Sequence, residues 1–194
     1  GWGHGDEEII SRDRAIELFD LAGVGRSPSR FDFKKLENLN GHYIREAGDG
    51  RLAELVRGRV EALIGRTLSD AETATLADAM PSLKPRAKTL DEIADGATFL
   101  YAQRPLAYDE KASALLDQKG LALIAACVDA LTGLESWSVE TIEEKIRGVA
   151  ESAELGLGKI AQPLRAALTG RTTSPGIFDV LALMGKEEVL MRLT

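Results

Sequence analysis

The side chains able to do chemistry in this sequence are few, and their spacing suits catalysis poorly. Two histidines, His4 and His42, stand far apart, and neither has a neighbour at a zinc-binding spacing. His4 falls in the turn Gly1-Trp2-Gly3-His4-Gly5 and reads as a solvated or capping residue. His42 follows Asn40-Gly41 and reads as a packing or hydrogen-bonding group at a helix kink. The single cysteine, Cys127, can neither close an internal disulfide nor hold a metal alone, and its apolar setting marks it as a small buried side chain. The carboxylate pairs Glu7-Glu8, Glu143-Glu144 and Glu187-Glu188 fall at solvent-facing helical positions. No Gly-x-Ser-x-Gly elbow, Walker loop or dinucleotide fingerprint occurs. The opening Gly-x-Gly-x-Gly follows no strand and is trailed by acids that would repel a phosphate. No catalytic or metal-ligating set is therefore expected.

The cations are more informative. Net charge is −7, with 31 acids against 24 bases, which opposes nonspecific binding to any polyanion, DNA included. Yet residues 79–90 carry Lys84, Arg86 and Lys88 with no acid, and residues 155–178 carry Lys159, Arg165 and Arg171, again with none. Chance clustering is the alternative reading. In the second stretch Thr169-Gly170 should end one helix, and Ser174-Pro175-Gly176 reads as N-cap, first helical residue and helix, with Ile177, Val180, Leu181 and Met184 as the buried face. A helix start fed by Arg171, Thr172, Thr173 and Ser174 suits a phosphate or a base edge. A plain turn with an exposed arginine fits the same residues.

The elements that must position these groups are helical almost throughout. Leu52, Leu55, Val56, Val60, Leu63 and Ile64 recur at spacings of three and four, and Val139, Ile142, Ile146 and Val149 repeat the pattern behind a capping Ser138. The stretch 121–131 is apolar on nearly every face and is expected at the centre of a bundle. Alternating strand patterns are nearly absent, and aromatic residues make up only 5%, so the expected class is all-α. Breaks at Ala47-Gly48-Asp49-Gly50 and at Ala102-Gln103-Arg104-Pro105 divide the chain into 1–48, 49–104 and 105–194. The apolar run 121–128 is too short to cross a bilayer, which needs about 20 residues. With no signal-peptide pattern and no initiator methionine, a cytoplasmic fragment of a larger protein is expected.

The order of these motifs resembles a known family. Gly1-Trp2-Gly3-His4-Gly5-Asp6-Glu7-Glu8-Ile9, Phe19-Asp20-Leu21, Ser27-Pro28-Ser29-Arg30-Phe31-Asp32-Phe33-Lys34-Lys35-Leu36 and Leu39-Asn40-Gly41-His42-Tyr43-Ile44-Arg45 are similar to bacterial glutamate–tRNA ligases downstream of their class I signature. Residues 157–170, with Gln162-Pro163-Leu164-Arg165, and Ser174-Pro175-Gly176-Ile177-Phe178 resemble the carboxy-terminal domain of the same family. The resemblance is weaker from about 51 to 152. It implies the end of a stem-contact domain at 1–48, followed by two helical-bundle anticodon-binding domains, 49–104 and 105–194. The family's HIGH and KMSKS signatures are absent, so the segment alone should be inactive, with no cofactor of its own. ATP and magnesium would belong to a catalytic domain elsewhere in a monomeric parent.

The partner the resemblance implies is tRNA(Glu). Arg165 corresponds to an arginine that contacts the anticodon loop. Thr173, Ser174, Pro175 and Ile177 lie at or beside the helix start that faces the anticodon bases, although the family often has threonine where Ser174 stands. Arg86, in Lys84-Pro85-Arg86-Ala87-Lys88-Thr89-Leu90, matches through Pro-Arg-x-x-Thr-Leu an arginine that reads the third anticodon base. The alternative is a solvated loop residue in an enzyme that does not discriminate tRNA(Glu) from tRNA(Gln). Lys84, Lys88, Lys159 and Arg171 would hold the RNA backbone. Two alternatives to tRNA reading remain. One is a helical protein-interaction module, which would use an exposed apolar groove instead of the basic stretches. The other is an autonomous enzyme, which the segment alone would show by ATP–pyrophosphate exchange despite the absent signatures.

Overall fold

The structure, a computed structural model, describes residues 2–5, 7, 9–26 and 31–194. Glu8 of the Glu7-Glu8 pair, and Gly1, Asp6 and 27–30 of the family-like motifs, lie outside the described residues. The described residues form helices α1 Arg12–Leu18, α2 Phe33–Glu46, α3 Asp49–Ile64, α4 Asp70–Leu83, α5 Leu90–Ala97, α6 Glu110–Leu115, α7 Gln118–Thr132, α8 Val139–Ser152, α9 Leu157–Thr169, α10 Ile177–Met184 and α11 Lys186–Leu193. Tight 3-10 turns cover Leu21–Gly23, Lys84–Arg86 and Thr98–Leu100. The only extended pairing among them is an isolated bridge between Trp2 and Val24. All-α is the observed class.

Local chemistry starts several of these helices. Ser69 with Glu72 opens α4 and Thr89 with Glu92 opens α5, each side chain closing the other's orphan backbone N–H. Ser138 caps α8 as expected, here reciprocally with Thr141. At the other end of α9, Gly170 adopts φ 73°, a left-handed turn that costs other residues dearly.

Two apolar clusters hold the helices. One contains Ile44 of α2 with Leu52, Val56 and Val60 of α3, Leu76, Met80 and Leu83 of α4, and Ile93 and Tyr101. The other contains Ile124, Cys127 and Leu131 of α7, Ile142 and Ile146 of α8, Ile160, Leu164 and Leu168 of α9, and Ile177, Val180, Leu181 and Val189 of α10 and α11. Leu100 packs against both clusters, and Leu183 of α10 reaches the first.

Periodicity misjudged depth in two places. α7 is not the centre of its bundle: Ile124, Cys127 and Leu131 face inward, while Leu121 is 54% exposed and Ala122, Ala125 and Ala126 lie in solvent. Alanine exposes little area, so an apolar outer face costs little there. The central position belongs to α9, buried from Ile160 to Thr169 except at Gln162 and the half-buried Arg165. Leu55 and Leu63 of the α3 stripe are likewise exposed. The helix bearing Ile93 stops at Ala97, and Leu100 and Tyr101 follow in and after a 3-10 turn.

Candidate nucleic-acid interface

Arg86 sits on the 3-10 turn that ends α4. Pro85 lacks the N–H that would continue the helix, so the chain tightens and closes with Ala87 N–H on the Lys84 carbonyl at 3.3 Å. The turn is braced from both sides. Asn40 Nδ2 of α2 donates to the Lys88 carbonyl at 2.5 Å, and the Lys88 N–H donates to Glu92 Oε2 of α5 at 2.6 Å. From this fixed base the Arg86 guanidinium donates through Nη1 to the Ser174 carbonyl, 2.8 Å away and 88 positions along the chain.

Arg165 meets the same residue. It projects from α9, and its Nε donates to Ser174 Oγ at 2.8 Å. Burial, and secondarily the like charge of Arg86, hold the Arg165 guanidinium below its ordinary value, although an arginine stays protonated at any physiological pH. Among the described residues neither guanidinium pairs with a carboxylate. Two cations therefore share one serine, the exposed Arg86 at the serine carbonyl and the half-buried Arg165 at the serine hydroxyl.

The loop carrying Ser174 is shaped by what precedes it. Gly170 turns the chain out of α9 where a side chain would collide with the Ala107 carbonyl. Thr169 Oγ1 then donates to the Arg165 carbonyl at 2.8 Å and accepts from the Arg171 N–H at 3.3 Å. The expected cap at Ser174 is not formed. α10 begins only at Ile177 after Gly176, and the Ser174 hydroxyl receives Arg165. Asp179, in the first turn, lies so near Gly176 that a Cβ there would stand 2.5 Å from its carboxylate.

The remaining candidates separate. Thr173 is exposed beside Ser174 and lines, with Arg86 and Arg171, a cavity of about 510 Å³ between the two bundles. Pro175 is buried, and Ile177 is 5% exposed within the second apolar cluster, so both support the loop from beneath. Lys84 turns inward, its Nζ donating to Asp49 Oδ1 at 2.7 Å and to the Ala47 carbonyl at 3.2 Å, which clasps the junction of α2 and α3. Lys88 is half exposed, with Glu37 a loose 3.8 Å away. Lys159 is exposed at the start of α9. Arg171 pairs with Asp95 of α5, Nη1 to Oδ2 at 2.6 Å. Asp95 was not singled out in the sequence, because nothing local marks an acid whose partner lies 76 positions away. Elsewhere, Trp2 stacks on His4, His42 Nε2 lies 3.2 Å from Glu46 of the same helix, and burial pushes the Cys127 thiol up to about 12. Among the described residues no three His, Cys, Asp or Glu side chains gather as a metal site would require, and no helix is long and apolar enough to cross a membrane.

The all-helical scaffold thus brings cations from two remote segments of the chain onto one residue. Residues 43–194 match the family described as anticodon binding domain, and the chain belongs to that family. Its relatives include glutamate–tRNA ligase 2 of Rhizorhabdus wittichii, 62% identical over 193 residues, and glutamate–tRNA ligase 1 of Sphingopyxis alaskensis, 64% identical over 195. Each alignment covers 100% of this chain, which spans 41% and 40% of those two proteins. The crystal structure of a glutamate tRNA ligase from Elizabethkingia meningosepticum superposes with a TM-score of 0.82 at 29% identity, covering 100% of this chain and 38% of that one.

Proposed function

We propose that this chain reads the anticodon loop of tRNA(Glu) for a glutamate–tRNA ligase. The catalytic domain of that ligase, which uses ATP and magnesium, would be a separate part of the protein. The observation that carries the reading is the convergence of Arg86 and Arg165 on Ser174. The names of the relatives support the choice of tRNA. In this reading 1–48 is the end of a stem-contact domain, and 49–104 and 105–194 are the two anticodon-binding bundles. An apolar cluster lies mainly within each bundle, with Ile44 joining the first and Phe99 the second.

Each residue then has a chemical task. Arg86 donates to the acceptors on the Watson–Crick edge of a cytosine at the third anticodon position, where guanine would oppose it with donors. Arg165 contacts the neighbouring base, with Thr173 and Ser174 shaping the rim, and Pro175 and Ile177 holding the loop. Lys88 and Lys159 neutralise phosphates and give binding its salt dependence. Acidic faces elsewhere discourage wrong docking. Lys84 is assigned instead to the joint between α2 and α3.

Titrating the chain with the tRNA(Glu) anticodon stem-loop at several salt concentrations tests the assignment. Binding should weaken steeply with salt and exceed that of an unrelated hairpin of equal length. Equal affinity for both hairpins, or none, would overturn it.

A further inference from the structure

The ion pair of Arg171 with Asp95 has a consequence beyond stability. Asp95 belongs to α5 of the first bundle, and Arg171 opens the loop of the second that ends in Ser174. Both side chains are about half exposed, so as an isolated bridge the pair would contribute little to folding. Its position gives it other work. Asp95, Arg171, Arg86 and Ser174 line the same cavity between the bundles. Tethering Arg171 fixes the start of a loop whose later carbonyl and hydroxyl orient Arg86 and Arg165. The same tether neutralises a cation that would otherwise be available to any phosphate.

We infer that Asp95 is a positioning residue that raises base specificity at the expense of general RNA affinity, by holding Arg171 and with it the loop 171–175. This rests on the anticodon reading proposed above. Removing Asp95 frees a cation beside the site and loosens the loop together, so affinity and selectivity should move in opposite directions. A purely structural role for the pair would lower both, or neither.

The experiment uses the full 194-residue chain and two anticodon stem-loops differing only in cytosine or guanine at the third anticodon position, with an unrelated hairpin as a third probe. For Asp95→Asn, binding to all three should tighten, and the slope of log affinity against log salt should steepen by about one unit. The preference for cytosine should meanwhile fall about three- to tenfold, as expected for groups sharing one network. Arg171→Gln should lose the same preference without the steeper slope. The charge swap Asp95→Arg with Arg171→Asp should restore both values toward wild type. Unchanged preference in Asp95→Asn, or no rescue by the swap while thermal melting shows both variants folded, would overturn the inference and leave the anticodon reading standing. A wild-type chain that does not distinguish cytosine from guanine would overturn the inference alone, and one that binds the unrelated hairpin equally well would overturn the anticodon reading too.

Discussion

At the scale of single residues, the proposed reading rests on planar donors set against polar acceptors. Arg86 is exposed and its backbone is fixed by neighbours other than its own side chain, so Arg86→Gln should leave the chain folded. It should cost at most about 1.5 kcal/mol of thermal stability, the worth of its bond to the Ser174 carbonyl. The same change should reduce the preference for cytosine at the third anticodon position by about 1–3 kcal/mol, measured as the ratio of affinities for matched stem-loops. Arg165→Lys keeps the charge and loses the fork. A lysine cannot donate to Ser174 Oγ from mid-chain while presenting further donors outward, so its affinity should fall despite unchanged net charge. The candidate arginines were legible before the structure because they lie in acid-free stretches and in familiar motifs. Their common partner was not, since Ser174 receives one of them through a backbone carbonyl, a group every residue carries.

At the scale of elements, caps and tight turns decide where the loops begin. Gly170→Ala would place a side chain at φ 73° against the Ala107 carbonyl, and should destabilise the chain by about 1–3 kcal/mol in thermal or urea melts. α4 offers a pH test. Glu72 accepts from Arg66 at 2.6 and 3.1 Å and from the Ser69 N–H and hydroxyl, each at 2.9 Å; the Arg66 guanidinium, then the Ser69 N–H, hold its carboxyl down to about 2. A carboxyl depressed on folding stabilises the native state above its unfolded value, near 4.5, and that contribution is lost as pH falls toward 2. The gap in melting temperature between wild type and Glu72→Gln should therefore be full at pH 6 and close between about pH 4.5 and 2. Helix type and the α8 cap could be read from spacing and side-chain chemistry. The depth of α7 could not, because an apolar helix surface satisfies either a core or an alanine-rich outer face. Ser174 is not the cap because α10 starts two residues later than expected, at Ile177 behind Gly176. Its hydroxyl instead accepts from Arg165 and donates to the Pro175 carbonyl, pairings that no local pattern records.

At the scale of the whole molecule, arginines on one bundle or the other lock the two together. Besides Arg86 and Arg171, the buried Arg192 of α11 donates through Nη1 to the carbonyls of Phe99 at 2.9 Å and Leu168 at 2.7 Å, through Nη2 to that of Ala102 at 3.0 Å, and through Nε to Glu188 at 2.6 Å. Arg192→Met takes the guanidinium from three carbonyls and leaves Glu188 only Arg104, 3.6 Å away. It should cost about 3–5 kcal/mol in a denaturant melt, with Arg192→Lys recovering only part. Such long-range pairings set the angle between the bundles and are invisible to any local window. They also make one site from segments that lie far apart in the chain. A double-mutant cycle of Arg86→Gln and Arg165→Gln, read as binding to the tRNA(Glu) anticodon stem-loop, tests that unity most directly. Two guanidiniums held by one serine should show a coupling of about 0.5–3 kcal/mol, whereas losses that add to within about 0.3–0.5 kcal/mol would mean two independent contacts and contradict a shared reading head.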